Sequence, residues 1–298
     1  MALDGGPVAG RAASQNMGGQ VPVVPLQRCR GTVRLAFARR GLRTIAAEVH
    51  QSGSLRVRFP RPEIAGGAEA VLINTSGGMT DGDVQLVEIA WRDGAAATAT
   101  TQAAERIYRS RGPASEIATT LRVGAGATAF WLPQETILFD ESRLVRRNTV
   151  EMAAGATLIA CESLVFGRAA MGESVRQGAV LDRWSVRYDG RLAFLDGFRL
   201  DGPIAELLAR PAVAGGHRAM ATILAVGPDA EARLACLRDA GAGLAVPVGS
   251  TRLGPVVVAR LLAPGLQSLH GALVRLLGAL LETVEPSARR RMPTVWAL

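Results

Sequence analysis

The segment Asp83–Thr101, DVQLVEIAWRDGAAATATT, contains two strand-like runs that are separated by a turn. The first run, Asp83–Ala90, alternates in a way that places one face of a strand against a core. Gly94-Ala95 provides a two-residue turn, and the second run, Ala96–Thr101, is rich in threonine, which favours strands. The segment therefore predicts a strand, a sharp turn and a second strand.

The same unit recurs three more times before residue 196. The turns sit at residues 94, 126, 155 and 190, which is a spacing of 29 to 35 residues. Such a repeat predicts a mainly β fold of stacked strand–turn–strand layers, either a β-sandwich or an open β-helix-like stack. A doubly wound nucleotide-binding fold is disfavoured because it needs helices between its strands. The recurring runs are Glu116–Val123 with Thr128–Leu132, Thr149–Met152 with Thr157–Cys161, and Arg183–Tyr188 with Arg191–Leu195.

Helical patterns are concentrated near the C-terminus. Asp229–Ala240 has an acidic start and leucines on one face, and Gly265–Val284 is a longer amphipathic run, so we expect two helices there. Between them, Leu244–Leu262 predicts a hairpin that turns at Gly254-Pro255. The last residues end in PTVWAL, and we expect Trp296 to anchor them to the surface.

A glycine-rich loop, Leu72–Gln85 (LINTSGGMTDGDVQ), leads directly into the first strand of this pattern. Such a loop can cradle a phosphate, hold a metal through its aspartates, or only make a tight turn. A phosphate loop requires a helix N-terminus behind it, and here a strand follows. We therefore expect a tight turn that delivers Asp83 to the start of a strand.

The composition is typical of a globular protein and disfavours several classes of partner. The chain has 298 residues, of which 48% are hydrophobic and 4% aromatic, and its net charge is +8. All its basic residues are arginines spread along the chain, and few aromatic side chains are present to stack on bases, so we do not expect nucleic-acid binding. No apolar run reaches the roughly 20 residues that a membrane span needs.

The ends of the sequence and its cysteines indicate the domain organisation and the compartment. Residues 1–25 are rich in Gly, Pro and small residues, which predicts a flexible tail followed by a single domain over 26–298. The tail lacks the apolar core of a secretory signal. Cys29, Cys161 and Cys236 are far apart and odd in number, so we expect no disulfide framework and a cytoplasmic protein.

Motifs for nucleophilic or zinc chemistry are missing from the sequence. His50, His217 and His270 lie in no recognisable catalytic motif, and no C-x-x-C or H-E-x-x-H spacing occurs. Cys161 lies in the apolar run LIACESLVF, where a buried structural side chain is the simpler interpretation. A weak metal site built from carboxylates of distant strands stays open.

Four carboxylates stand beside or within apolar strand-like runs: Asp83, Glu135, Glu162 and Asp196. A lone carboxylate is costly to bury unless it is paired or faces water. One interpretation is therefore an ion pair with one of the many arginines. The other is that several of these carboxylates line one polar passage through the β-stack, where a divalent cation binds or travels.

Seven blocks of the sequence follow one another in the order of a known family. They are HQSGSLRVRFPRP (50–62), LINTSGGMTDGD (72–83), TTQAAERIYRS (100–110), WLPQETILFDESRL (131–144), ESLVFGRAAMGE (162–173), RLDGP (199–203) and MPTVWAL (292–298). In this order they resemble the urease accessory proteins of the UreD family, also called UreH. The resemblance extends from about residue 31 to the C-terminus.

The resemblance implies a mainly β fold and a non-enzymatic role in urease maturation. It implies binding to the accessory protein UreF, recruitment of the nickel-carrying GTPase UreG, and docking of this assembly on the urease apoprotein (UreABC). It further implies a water-filled passage that carries nickel, with Asp83, Glu162 and Asp196 as its acidic residues. Glu105, in the block before Tyr108, is an additional candidate contact. No tightly bound cofactor is implied, only transient Ni²⁺.

Two other functions stay open at this point. An arginine-rich binder of nucleic acid or lipid would present one continuous basic face. An enzyme that uses Cys161 or a pair of carboxylates would have a closed pocket with a strongly perturbed ionisable group. The repeat, the missing catalytic motifs and the ordered blocks favour the accessory protein.

Overall fold

The computed structural model describes residues 28–60, 67–168, 172–284 and 292–297. The predicted flexible tail over residues 1–25 lies outside these ranges. The division of the chain into this tail and a single domain over 26–298 therefore stays a prediction.

The first sheet, called sheet A, is seven-stranded within the described ranges, with the spatial order β14-β13-β11-β8-β5-β1-β2. The five inner strands run parallel, and the two edge strands are antiparallel to their neighbours. The strands are β1 (Arg30–Arg40), β2 (Arg43–Gly53), β5 (Val84–Trp91), β8 (Ser115–Val123), β11 (Arg143–Met152), β13 (Gly178–Tyr188) and β14 (Arg191–Gly202).

The second sheet, called sheet B, packs face to face on sheet A and is ten-stranded in the part of the chain that the structure describes. Its main path has the order β16-β17-β15-β12-β9-β6-β4-β3, and β10 pairs with both β12 and β7. The strands are β3 (Leu55–Arg58), β4 (Ala68–Asn74), β6 (Ala96–Thr101), β7 (Glu105–Ile107), β9 (Thr128–Leu132), β10 (Thr136–Leu138), β12 (Thr157–Phe166), β15 (Ala219–Val226), β16 (Val248–Leu253) and β17 (Val256–Ala263).

The repeated units form successive coils that pass from one sheet to the other. The turn at Gly94-Ala95 is the corner between β5 in sheet A and β6 in sheet B, and the next two corners connect β8 to β9 and β11 to β12. Corresponding residues of successive coils pair in parallel, as Ala96 does with Thr128 and Thr128 with Thr157. The predicted stack of strand–turn–strand layers is confirmed. In the fourth unit, the two strands β13 and β14 pair as a hairpin.

Helices cover the outer face of sheet B. The predicted helices are confirmed as α2 (Ala230–Gly241) and α3 (Leu266–Val284), and the predicted hairpin is β16–β17. A short helix that the sequence analysis did not predict, α1 (Ile204–Ala209), follows β14. No described helix combines the length with the hydrophobicity that spanning a bilayer requires.

Trp296 anchors the C-terminal segment, as expected. It lies in a short 3₁₀ helix, Thr294–Trp296, and is 2% exposed within the apolar cluster under α3. Its indole N–H donates to the carbonyl oxygen of Leu132 at 3.1 Å. A buried tryptophan whose N–H is satisfied in this way holds the segment in one position.

The glycine-rich loop is a tight turn that brings two strands close together. The N–H of Met79 donates to the carbonyl oxygen of Arg106 at 2.7 Å, so the backbone after Gly78 lies directly against β7. Gly78 has a φ of 147°, and a Cβ atom there would lie 2.4 Å from the Tyr108 ring and 2.9 Å from the Arg106 carbonyl oxygen. The neighbouring Gly77 has a φ of 75° but no atom within 4 Å of such a Cβ.

We expect Gly78→Ala to lower the free energy of unfolding by about 3 kcal/mol, because it adds a steric clash with backbone to an unfavourable φ. Gly77→Ala is the matched control and should cost only about 1 kcal/mol, since it adds the unfavourable φ alone. Urea denaturation of both variants measures the difference. Equal losses in the two variants would show that close packing at Gly78 is not what the loop requires.

Candidate functional site

The interior between the two sheets contains a polar layer that separates two apolar clusters. Along β11, Leu144 belongs to one cluster and Val150 to the other, and Arg146 and Asn148 lie between them. Strands β12, β13 and β14 show the same succession. The name polar layer refers here to Arg146, Asn148, Glu162, Asp182, Asp196 and Arg260.

Arg146 lies at the centre of the polar layer and joins the two sheets. Its guanidinium donates to Asp182 on the adjacent β13 through Nη2 (2.6 Å) and Nε (3.1 Å). Its Nη1 lies 2.5 Å from Oε2 of Glu162 in sheet B and donates to the Thr136 hydroxyl at 3.0 Å. Because the Arg146 side chain is 2% exposed, water screens these charges little.

Glu162 is buried opposite Arg146 and accepts a hydrogen bond from the indole N–H of Trp131 at 3.2 Å. Burial raises the pKa of Glu162 to about 7; Arg146 opposes this rise, Asp182 adds to it, and the Trp131 hydrogen bond opposes it. The Glu162 carboxyl therefore gains or loses its proton near neutral pH.

A second ion pair joins the sheets nearer the solvent. Asp196 on β14 of sheet A pairs with Arg260 on β17 of sheet B. Their side chains are 23% and 50% exposed, so water screens this pair more than the Arg146–Glu162 pair. The ion-pair interpretation thus fits both Glu162 and Asp196, with arginines that the sequence analysis did not single out.

Two cavities meet at the Arg146–Glu162 pair. The first has a volume of about 200 Å³ and is lined by Glu105, Thr119, Arg146 and Glu162, among others. The second has a volume of about 690 Å³ and is lined by Arg146, Glu162, Asp182, Asp196 and Arg260, among others. Three of the predicted acidic residues thus border the two cavities in succession, Glu105 the first, Glu162 both and Asp196 the second, and they are called the line of carboxylates here.

Glu105 borders the first cavity with uncharged side-chain partners. Its carboxylate accepts hydrogen bonds from the side-chain amides of Gln85 (2.8 Å) and Asn74 (3.0 and 3.1 Å). Burial raises the pKa of Glu105, and the hydrogen bonds from Gln85 and Asn74 oppose this. Within the described ranges, it forms no salt bridge with a basic side chain.

Asp83 lies apart from this line. Its carboxylate accepts backbone hydrogen bonds from Cys29 at 2.7 Å and from Thr80 at 2.9 Å, and it does not line either cavity. These bonds tie the start of the described chain to the glycine-rich loop. The geometry gives Asp83 a structural task at the entry to β5.

Two buried side chains beside Arg146 lack hydrogen-bond partners. Neither polar atom of the Asn148 amide is bonded, nor is the indole N–H of Trp184, and both residues are 2% exposed. They are direct neighbours in the β11–β13 register, and Trp184 lines the second cavity. An unsatisfied buried polar group costs about 1–3 kcal/mol, so these atoms indicate that the polar layer accommodates water or a polar ligand.

Comparison with known proteins assigns the chain to a family. A family model described as "UreD urease accessory protein" matches residues 29–297. The chain belongs to the UreD family. It is 44% identical over 269 residues to the urease accessory protein UreD of Rhodopseudomonas palustris (strain HaA2), covering 90% of this chain and 93% of that protein. It is 48% identical over 257 residues to the protein of the same name from Methylobacterium sp. (strain 4-46), covering 84% and 91%. These matches confirm the family that the sequence blocks predicted.

The remaining candidates for chemistry have structural partners in this UreD-family chain. Cys161 is 1% exposed under the helices, and burial raises the pKa of its thiol well above the usual value, so the thiol stays neutral. Glu135 pairs with His270 at 2.8 Å, and His270 also contacts the carbonyl oxygen of Trp296 at 3.0 Å. The residues that the structure describes include no group of three His, Cys, Asp or Glu placed to hold a metal.

Sequence reasoning missed Arg146 and Asp182, although a signal for both was present. In β11, Leu144, Val150 and Met152 set the phase of the buried face, and residue 146 falls on it. In β13, Val180 and Trp184 place residue 182 on the buried face in the same way. A charged residue that shares the buried face of a strand with apolar residues could therefore have been predicted to be buried.

We expect the stability that Glu162 contributes to fall as the pH rises. The folded state keeps the Glu162 proton up to about pH 7, whereas the unfolded chain loses it near the ordinary value of 4.5. The folded state therefore binds more protons between these values, and this contribution is full below pH 4.5 and lost by about pH 7. The change amounts to at most about 3 kcal/mol.

Urea denaturation of the wild type and of Glu162→Gln, from about pH 5 to about pH 8, measures this change. The free energy of unfolding of the wild type should fall relative to that of the variant across this range. A difference that is independent of pH, or that grows in favour of the wild type, would contradict the raised pKa.

Proposed function

We propose that this chain is a non-catalytic accessory protein of urease maturation that passes nickel towards the urease apoprotein through its polar layer. The observation that carries the proposal is the line of carboxylates Glu105, Glu162 and Asp196 along two adjoining cavities. Membership of the UreD family supports the role in urease maturation. The line of carboxylates supports a cation as the cargo.

The chemistry of the line suits a cation that must be released again. Ni²⁺ accepts oxygen ligands from carboxylates and water. Along the line, the carboxylates of Glu162 and Asp196 are already paired with Arg146 and Arg260. An incoming cation has to compete with these arginines for the carboxylates, so each contact holds it weakly. Weak, successive contacts favour transfer over storage.

The unpartnered polar atoms of Asn148 and Trp184 support a wet interior. A divalent cation keeps part of its hydration shell unless protein ligands replace all of it, and dehydration is costly. Side-chain amides and an indole N–H beside the line can hydrogen-bond to water molecules that travel with the ion. The proposal therefore concerns a hydrated cation that is handed from carboxylate to carboxylate.

The partners follow from the resemblance that the sequence blocks established. In this proposal the chain binds UreF, and the pair recruits the nickel-carrying GTPase UreG in the cytoplasm. The assembly docks on the urease apoprotein (UreABC), and the nickel ion leaves the passage there. The chain performs no reaction of its own, and it binds Ni²⁺ only transiently.

The geometry gives the two alternative functions less support than the passage, although Glu162 is a carboxyl with a strongly perturbed pKa beside a cavity. In the part of the chain that the structure describes, several surface arginines are paired with carboxylates, for example Arg147 with Glu116 and Arg199 with Asp201, which reduces the positive charge that they present. Cys161 is buried and neutral, which disfavours it as a nucleophile.

We expect that replacing a carboxylate of the line by the uncharged amide lowers the nickel content of urease. We expect Glu162→Gln or Asp196→Asn, co-expressed with a urease operon, to lower urease activity and nickel content at least about tenfold, the scale on which removing a metal-site contact acts. The matched controls are Glu151→Gln and Asp201→Asn, on exposed positions of β11 and β14. Activity assays, metal analysis of urease and recovery of the accessory complex are read together.

Recovery of the accessory complex separates a transport defect from a folding defect. Intact complexes with nickel-poor urease are the expected result for the line variants, and full activity is expected for the controls. Full activity in both line variants would overturn the passage and leave Glu162 and Asp196 as ordinary ion-pair partners.

A further inference from the structure

Arg146 and Glu162 lie where the linings of the two cavities overlap. The lining of both cavities includes Arg146 and Glu162, whereas Glu105 lines only the first and Asp182 and Asp196 only the second. A cation that crosses from Glu105 to Asp196 must therefore pass the guanidinium. Passage past a fixed positive charge is unfavourable as long as that charge stays in place.

The guanidinium also fills the place that two buried carboxylates would offer to a cation. Its Nη1 lies 2.5 Å from Glu162 Oε2, and its Nη2 lies 2.6 Å from Asp182 Oδ2, so one cationic group bridges carboxylates of the two sheets. We infer that Arg146 is a gate, whose guanidinium holds the Glu162–Asp182 position and exchanges with a divalent cation during transfer. This inference rests on the proposed function and adds a residue and a binding position to it.

The unpartnered atoms beside Arg146 are a second, independent sign that the position takes a ligand. Asn148 lies two residues along β11 from Arg146, and Trp184 lies two residues along β13 from Asp182. The buried indole N–H of Trp184 borders the same cavity as both carboxylates and has no acceptor. A water molecule in the cavity that is not itself coordinated to the cation would accept this hydrogen bond.

The first cavity offers the displaced guanidinium a place to go. Arg146 itself lines this cavity, and so does Glu105, whose side-chain hydrogen bonds come from the neutral amides of Asn74 and Gln85. Arginine has a long side chain and keeps its charge at any pH that the protein meets. A guanidinium that moves towards Glu105 would leave Glu162 and Asp182 free to bind the cation.

The gate explains how a divalent cation can be released from two buried carboxylates. Two carboxylates without a counter-cation would bind a divalent ion firmly, whereas Arg146 returns to the position and displaces it. Arg146 thus lowers the affinity of the site for the ion and favours its release into the second cavity.

The test compares Ni²⁺ binding by the full-length chain with and without this guanidinium. Isothermal titration with NiCl₂ is performed at about pH 8.5, because removing Arg146 takes away a charge that lowers the pKa of Glu162. The proteins compared are the wild type, Arg146→Gln, and the double variant Arg146→Gln/Glu162→Gln. The matched control is Arg147→Gln, on the exposed face of the same strand. We expect Arg146→Gln to bind one Ni²⁺ per chain at least about tenfold more tightly than the wild type. The double variant should lose most of this gain, and the control should match the wild type.

Folded Arg146→Gln that binds Ni²⁺ no more tightly than the wild type would overturn the gate. If Arg146→Gln does not fold, the same titration is performed on Arg146→Lys. An ammonium group cannot bridge both carboxylates as the planar guanidinium does, so this variant also weakens the gate. An affinity of Arg146→Lys above that of the wild type supports the gate, and an unchanged affinity overturns it. These results are separate from the urease assay: a failed gate with nickel-poor urease in Glu162→Gln leaves the passage standing.

Discussion

The ion pair between Arg146 and Glu162 is the contact on which the interior arrangement depends. It joins the two sheets at the level where apolar packing stops, with Leu144 and Leu164 in one cluster and Val150 and Leu158 in the other. A buried ion pair rarely stabilises a fold more than apolar side chains of similar size would, yet removing one partner costs about 3–5 kcal/mol. Stability alone therefore gives no reason for a charged pair at this level.

The coiled arrangement of the chain explains how residues distant in sequence reach this level. Each coil contributes one strand to each sheet, and side chains alternate between the two faces of a strand. Parallel stacking in register places residue 146 of β11 beside residue 182 of β13, and the facing sheet supplies residue 162. When several coils carry a polar residue at the same inward-facing position, their side chains form a row across the stack.

Much of this fold was predictable from local patterns, whereas the site was predictable only in part. Glycine turns and period-2 runs indicated the coils, and the amphipathic runs indicated α2 and α3. The residues Glu162 and Asp196 were identified because a charge inside an apolar run is conspicuous. Their partners Arg146 and Arg260 were not, since periodicity shows which face a residue occupies but not which strand faces it. Asp83 was identified as a candidate site residue, but its structural role was not predicted. That role rests on backbone hydrogen bonds from Cys29 and Thr80, and sequence patterns do not show which chain segments come together.

In the proposed function, the polar layer between the sheets carries a divalent cation. Diffraction from crystals soaked in NiCl₂, recorded at the nickel absorption edge, tests it most directly, because anomalous scattering locates nickel without assumptions about its ligands. We expect an anomalous peak inside the sandwich, between Glu105, Glu162 and Asp196. Peaks confined to the outer surface, with the interior line free of nickel, would contradict it.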